Sequence, residues 1–234
     1  MDNSDNKNNN FKTVFEWPPL ESDPQIFTNY LKKLGLNEKY KFDELYGLDE
    51  ELLLMVEGIP KALIINYEKG INKKTYKDSD KISHAKVPFY MYQQGKLDNA
   101  CGVIAALHAV GNNKLDLNPD SILDKFFKNC TDKLPEEICA NLQDNSDFKN
   151  EHKSFASKGQ SNLCDKQEDV KNHFVCFAIV DNNLIEFDGV IKSPMIISSN
   201  INSDNFLIKS CEEIKKRLYD KNITDNLSIL YLHE

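Results

Sequence analysis

Apolar residues recur along this chain at two spacings, and the switches between them mark out the elements. From Asp23 the spacing is helical. Pro24 follows Asp23 as a first-turn residue follows an N-cap, Ile26, Phe27, Tyr30, Leu31 and Leu34 share one face, and Gly35 marks the stop. Residues 42–46 read as a short strand, 49–55 as a short helix and 62–65 as a buried strand. A lysine-rich connection, 69–86, reads as a surface loop, and strand character returns over 87–92. Residues 101–110 are apolar on nearly every face, which predicts a central, buried helix. Further helices are expected from Asn118-Pro119-Asp120 through Phe127 and from Leu134-Pro135-Glu136-Glu137. A hairpin of 174–180 and 184–187 should turn at Asp181-Asn182-Asn183, because Asn tolerates positive φ. A helix over 205–219 and a strand over 227–232 complete the pattern.

Two stretches carry no such period. Residues 1–10 are mostly Asn, Asp, Ser and Lys, too polar to bury surface, so 1–12 is expected to be a disordered N-terminal segment. Residues 151–168 show little periodicity and few bulky apolar side chains. An irregular stretch of that length inside a domain is usually functional. With neither repeat nor linker in view, residues 13–234 are expected to form one α/β (α+β) domain: a mostly antiparallel central sheet flanked by helices.

Composition narrows the partners. The net charge of -8 disfavours nucleic acid and anionic membrane and favours a basic protein or peptide. No apolar run approaches the ~18 residues that span a bilayer. The six cysteines lack paired spacing, which speaks against a metal framework or a disulfide scaffold; without a leader in view, a reducing compartment, cytoplasmic or also nuclear, is expected. Neither metal nor cofactor is expected.

Three separated segments carry the parts of an acyl-transfer site: Asn99-Ala100-Cys101-Gly102 opening the apolar helix, Asn172-His173-Phe174 opening the hairpin, and Glu186-Phe187-Asp188-Gly189 closing it. A cysteine becomes a strong nucleophile at neutral pH when a base serves it, and the base needs a partner that fixes its tautomer. At a helix start, backed by an Asp98-Asn99 cap region, the Cys101 sulfur would meet unpaired N–H groups and the positive helix end. Gly102 would let backbone or substrate approach closely. If the hairpin turns at Asp181-Asn182, Asp188 lies opposite Val175 and diagonal to His173, within ~7–8 Å between Cβ atoms. The other cysteines read as core residues, apart from Cys164 in the irregular stretch. His84, His108, His152 and His233 are not expected to have such a partnered acid.

At these residues the chain resembles the ubiquitin C-terminal hydrolases, thiol deubiquitinases with a papain-like core. The likeness runs from Trp17 to Leu232 and includes Trp17-Pro18-Pro19-Leu20-Glu21, Leu45-Tyr46-Gly47-Leu48-Asp49, Leu107-His108-Ala109 and Gly159-Gln160 besides the three segments above. It implies a knotted fold, ubiquitin as partner of a monomer, Cys101 as nucleophile, His173 as general base and acid, and Asp188 as orienting residue. It also implies that 151–168 arches over the site as a crossover loop that filters leaving groups by size, and it points to Leu20, Glu21 and Asn172 as substrate-binding residues. Members of the family place an oxyanion glutamine six residues before the cysteine, where this chain has Gly95. A one-residue insertion would make Gln94 the donor; Gln93, or backbone N–H groups alone, are the alternatives. Val190 stands where a basic residue often follows Asp-Gly. Two other classes carry a comparable set of residues: another Cys-His-Asp acyl-transfer enzyme, such as a transglutaminase or arylamine acetyltransferase, and a catalytically weak ubiquitin-binding module.

Overall fold

The computed structural model describes residues 17–97, 99–158 and 172–234. The expected disorder at 1–12, and the expected loop from 159 onward, lie outside the described residues. Its centre is a six-stranded, wholly antiparallel sheet made of β1 (Lys41–Glu44), β2 (Ala62–Lys69), β3 (Asn172–Val180), β4 (Asn183–Phe187), β5 (Met195–Ser199) and β6 (Ile223–His233). Their order across the sheet is β1-β6-β2-β3-β4-β5. Side chains of alternate strand residues leave on opposite faces, and both faces are covered. Ile64, Phe174, Cys176, Ile185 and Phe187 pack with α1 (Pro24–Leu34) and α3 (Cys101–Gly111), backed by α4 (Ile122–Cys130), α5 (Pro135–Asp144) and α6 (Ser146–Ala156). Leu63, Ile65, Val175, Phe177 and Leu184 pack on the other face with α7 (Ser203–Tyr219) and the short α2 (Glu50–Leu53).

Local chemistry explains the elements. Asp23 caps α1 by accepting from the Ile26 N–H at 2.8 Å, and Gly35 closes it in the left-handed region with φ 118°. Ten of the eleven residues of α3 are buried, so its all-round apolar face is that of a helix enclosed by its neighbours. The β3–β4 hairpin turns through Asp181 (φ 48°) and Asn182 (φ 58°), the two positive φ values of a type I′ turn.

Three expectations need correction. Residues 151–156 are not irregular: they are the second half of α6, which buries Phe148, His152 and Phe155 at helical spacing. Residues 87–92 join no ladder among the described strands. Their backbone is held by side chains instead: the Phe89 N–H and carbonyl by Asn112, and the Met91 N–H by His108 Nε2. The lysine-rich connection is also not all surface, because Lys74 and Tyr76 fold inward onto Glu186.

That inward fold completes a buried charge cluster. Glu186 on β4 is 1% exposed and takes a two-pronged bond from Arg217 of α7, Nη1 to Oε1 at 2.7 Å and Nη2 to Oε2 at 2.8 Å. The Tyr76 hydroxyl donates to Glu186 at 2.8 Å, while Glu213 accepts from Arg217 Nε at 2.8 Å and from Lys74 at 2.7 Å. Burial alone would raise the Glu186 carboxyl, but Arg217 and Lys74 overcome it and hold the group down at about 2. Arg217 is the sole arginine of the chain. A lysine has no planar fork to match a carboxylate in this way.

Removing one partner of a buried pair leaves the other charge uncompensated. Arg217→Met should therefore lower the unfolding free energy by about 3–5 kcal/mol at pH 7, measured by urea denaturation. The loss should shrink as pH falls from about 4.5 toward 2, where the unmodified protein gives up the stability that its depressed Glu186 carboxyl provides; a change under about 1 kcal/mol at pH 7 would mean that the cluster is not a stabilising unit.

Candidate active site

Cys101 is the first residue of α3 and is 6% exposed. The N-cap is Ala100, whose carbonyl accepts from the Ile104 N–H at 2.9 Å and which offers no side-chain cap. Of the expected cap region, Asp98 lies outside the described residues. Cys101 thus opens a helix that its N-cap residue does not cap with a side chain, and a helix N-terminus favours an anion. Gly102 packs against Leu20 and Phe174, where an added methyl would meet both at 3.5 Å, an ordinary contact. Within the chain itself, space does not demand a glycine there.

His173 is the second residue of β3 and pairs across the ladder with Tyr67 of β2. On its other side the β3–β4 ladder ends at Cys176↔Phe187, so Asp188 leaves the strand one residue later, diagonal to His173 as the hairpin predicts. Asp188 Oδ1 lies 2.8 Å from His173 Nε2, and both side chains are buried. The same oxygen accepts from the Val190 N–H at 3.1 Å, which ties the carboxylate to its own turn. With Nε2 committed to the carboxylate, Nδ1 is the nitrogen left to serve the sulfur. The Tyr67 ring meets the imidazole edge to face, 6.0 Å between centroids at 89°.

Burial alone would lower the His173 pKa. Hydrogen bonding to Asp188 and to Cys101 outweighs burial, and the group is raised to about 10. That upward shift favours an imidazolium, held between Asp188 and the Cys101 sulfur. A helix N-terminus and a neighbouring imidazolium are both settings in which thiolates are favoured. His108 and His152 are the opposite case: burial holds them down to about 3 and about 4, so both stay neutral.

The two glutamines part company. Gln93 is half-buried; its N–H donates to the Gly189 carbonyl at 2.7 Å, and a Cβ built on Gly189 would lie 3.1 Å from Gln93 and 3.1 Å from Ile104, one turn along α3 from Cys101. Glycine at 189 is what admits this close approach. Gln94 is exposed, and its carbonyl accepts from Gln143 Nε2 of α5 at 3.2 Å. Gln93 is thus the glutamine tied to the Asp188 turn, and Gln94 the one tied to α5. The chain between Gln93 and Cys101 is taken up by two successive tight turns, Gln94 O to Leu97 N and Leu97 O to Ala100 N, each 3.3 Å, with Gly95 at φ 63°.

Of the other expected residues, Leu20 is 4% exposed and belongs to the core. Glu21 lines an open cavity of about 470 Å³ with Asp23, Phe155 and Lys158. Asn172 is half-buried at the start of β3, opposite Glu68. Val190 is 54% exposed beside the Asp188 turn. Tyr67 and Tyr90 were not picked out from the sequence; only the β2–β3 register would have brought Tyr67 to His173. Among the described residues no cluster of His, Cys, Asp or Glu could hold a metal ion.

Comparison with known proteins decides the kinship. The family model described as ubiquitin carboxyl-terminal hydrolase, family 1, matches residues 17–219. The chain belongs to this family. It is 31% identical over 225 residues to the probable ubiquitin carboxyl-terminal hydrolase of Dictyostelium discoideum, covering 90% of this chain and 84% of that protein. It is 34% identical over 215 residues to ubiquitin carboxyl-terminal hydrolase 3 of Arabidopsis thaliana, covering 88% of each. Among solved structures, the UCH37 catalytic domain of Trichinella spiralis, bound to ubiquitin vinyl methyl ester, is similar with a TM-score of 0.68 at 21% identity, covering 93% of this chain and 95% of that one. That last likeness is one of fold. The hydrolase-family fold expected from the sequence is thus the fold observed, an antiparallel sheet between two layers of helices.

The charge states can be read directly by NMR titration of the imidazole Cε1–H signals. His173 should remain an imidazolium through pH 8 and titrate near pH 10, while His108 and His152 stay neutral from pH 5 to 8. Asp188→Asn should move the His173 titration down by more than one unit. A His173 midpoint near the ordinary 6.5 in the unmodified protein would contradict the ion pair.

Proposed function

We propose that this member of the ubiquitin carboxyl-terminal hydrolase family is a thiol deubiquitinase, cleaving ester, thioester, amide or peptide bonds after the C-terminal glycine of ubiquitin. The observation that carries the reading is the 2.8 Å His173–Asp188 pair serving Cys101 at the start of a buried helix. The Cys101 sulfur attacks the carbonyl carbon and the C=O π electrons move to oxygen. The Cys101 N–H and the Gln93 side-chain amide donate to that oxyanion. His173 gives its proton to the departing amine or thiol as the bond to carbon breaks, leaving an acyl-enzyme. The imidazole, now neutral, takes a proton from water as the water attacks, and collapse returns thiolate, imidazolium and free ubiquitin. Asp188 holds the ring in the orientation both steps need.

Binding draws on charge. The C-terminal tail of ubiquitin is basic, and Glu21 and Asp23 on one cavity wall suit such a tail, so association should weaken with salt. As the family resemblance implies, small or flexible leaving groups should be preferred over folded conjugates.

Hydrolysis of a ubiquitin amide with a fluorescent leaving group tests the roles separately. Cys101→Ala should lose activity by more than a thousandfold and still bind ubiquitin; residual turnover above that would demand another nucleophile. Gln93→Ala should lower kcat/KM by ~10²–10³ without changing ubiquitin affinity, because its bond matters only as charge develops on the oxygen. Gln94→Ala should stay within about threefold of the unmodified enzyme. A reversed order of the two glutamines would return the oxyanion role to Gln94.

A further inference from the structure

The extended segment before the cysteine turn does more than present Gln93. Tyr90 lies three residues earlier, is 3% exposed, and stacks on the His108 ring at 5.2 Å and 11°. Packing of that kind needs only a ring. The hydroxyl, however, lies 2.7 Å from the carbonyl oxygen of Asp188 and 2.7 Å from that of Ile191. A single O–H is therefore shared between the two ends of the turn that carries the aspartate. Asp188 O also accepts from the Ile191 N–H at 3.1 Å, and the Gln93 N–H holds the next carbonyl, that of Gly189, at 2.7 Å. A strip of four residues, 90–93, thus grips three carbonyls of the aspartate turn, those of residues 188, 189 and 191, while bearing the glutamine.

We propose that Tyr90 is a positioning residue: its hydroxyl locks the turn of residues 188–191 to the strip that carries Gln93, so that the carboxylate orienting His173 and the amide facing the oxyanion move as one body. The inference rests on the deubiquitinase reading of the same site. It follows from the double duty of Asp188 Oδ1, which serves His173 and the Val190 N–H together. A carboxylate tied to its own turn is only as well placed as that turn. Without the hydroxyl, the turn keeps its Gln93–Gly189 bond but loses the anchor at both ends, and the carboxylate drifts relative to the imidazole.

The groups that face His173 are Cys101 from α3, Asp188 from the turn and Tyr67 from β2. Those around Tyr90 are Asp188, Glu186, Tyr92 and the neutral His108. Of these, only Asp188 touches both His173 and Tyr90, so an effect of the hydroxyl on His173 must pass through it.

Tyr90→Phe removes one oxygen and keeps the stack. On a ubiquitin amide, kcat should fall about tenfold with KM unchanged, since displacement of a reacting group by a fraction of an ångström is costly to the chemical step. The alkaline limb of the pH profile should move down by roughly half to one unit, because a looser carboxylate favours the imidazolium less. Phe126→Leu loosens the same core through Phe89 without removing a bond to the turn, and should lower the melting temperature with the limb in place. Tyr90→Phe with unmoved kcat and limb, or with losses no larger than those of Phe126→Leu at equal melting temperature, would overturn the proposal. NMR titration of His173 in Tyr90→Phe needs no substrate: a downward shift supports the clamp, and an unchanged midpoint refutes it, even if the unmodified protein proves inactive and the functional reading itself fails.

Discussion

The register between β3 and β4 is set by the type I′ turn at Asp181 and Asn182, and the chemistry of this protein depends on that register. With Val180 facing Asn183, every later pair is determined, down to Cys176 opposite Phe187. Asp188 then emerges on the diagonal from His173. A slip of one residue would carry the carboxylate to the opposite face of the sheet and strand the imidazole. The hairpin is held by burial on both faces, with Cys176 and Phe187 under α3 and Val175 and Phe177 under α7. Cys101 arrives by a different route. It is delivered by a helix buried along almost its whole length, whose first turn lies against Phe174, the neighbour of His173.

Charge inside this core is tolerated because each buried ion has a placed partner. His173 stands between Asp188 and Cys101. Two residues before Asp188, Glu186 is held by Arg217 and Lys74, with Glu213 balancing the cations. Isolated ions at such depth would neutralise instead of remaining charged. The two clusters are adjacent but separate in function: one presents a nucleophile and its base to a substrate, while the other ties the 70–83 connection and α7 to the strand that carries the acid.

Much of this was legible in the sequence. Asp23-Pro24 with Gly35 predicted α1 to the residue, and the unbroken apolar run after Cys101 predicted a buried helix. Asn182 predicted the hairpin, and with it the His173–Asp188 diagonal. The misses have physical causes. In α6, His152 occupies a core position and donates to the Pro18 carbonyl, so a polar letter broke the apolar period. Residues 87–92 have strand composition, but Asn112 and His108 take the hydrogen bonds that a neighbouring strand would have made. β5 is an edge strand, Met195-Ile196-Ile197-Ser198-Ser199, whose run shows no apolar/polar alternation to mark it. The two tight turns before Cys101 were not legible, because backbone turns of that kind leave only Gly95 as a sign.

The central claim, that one sulfur of this chain performs acyl transfer at the end of ubiquitin, is tested most directly with ubiquitin bearing a C-terminal vinyl methyl ester, followed by intact-mass and peptide mass spectrometry at neutral pH. The account predicts a single covalent adduct per chain, located on Cys101, formed faster than any labelling by free vinyl methyl ester, and slowed severely by His173→Ala. An adduct on another cysteine, or labelling that proceeds as readily without the ubiquitin portion, would contradict it.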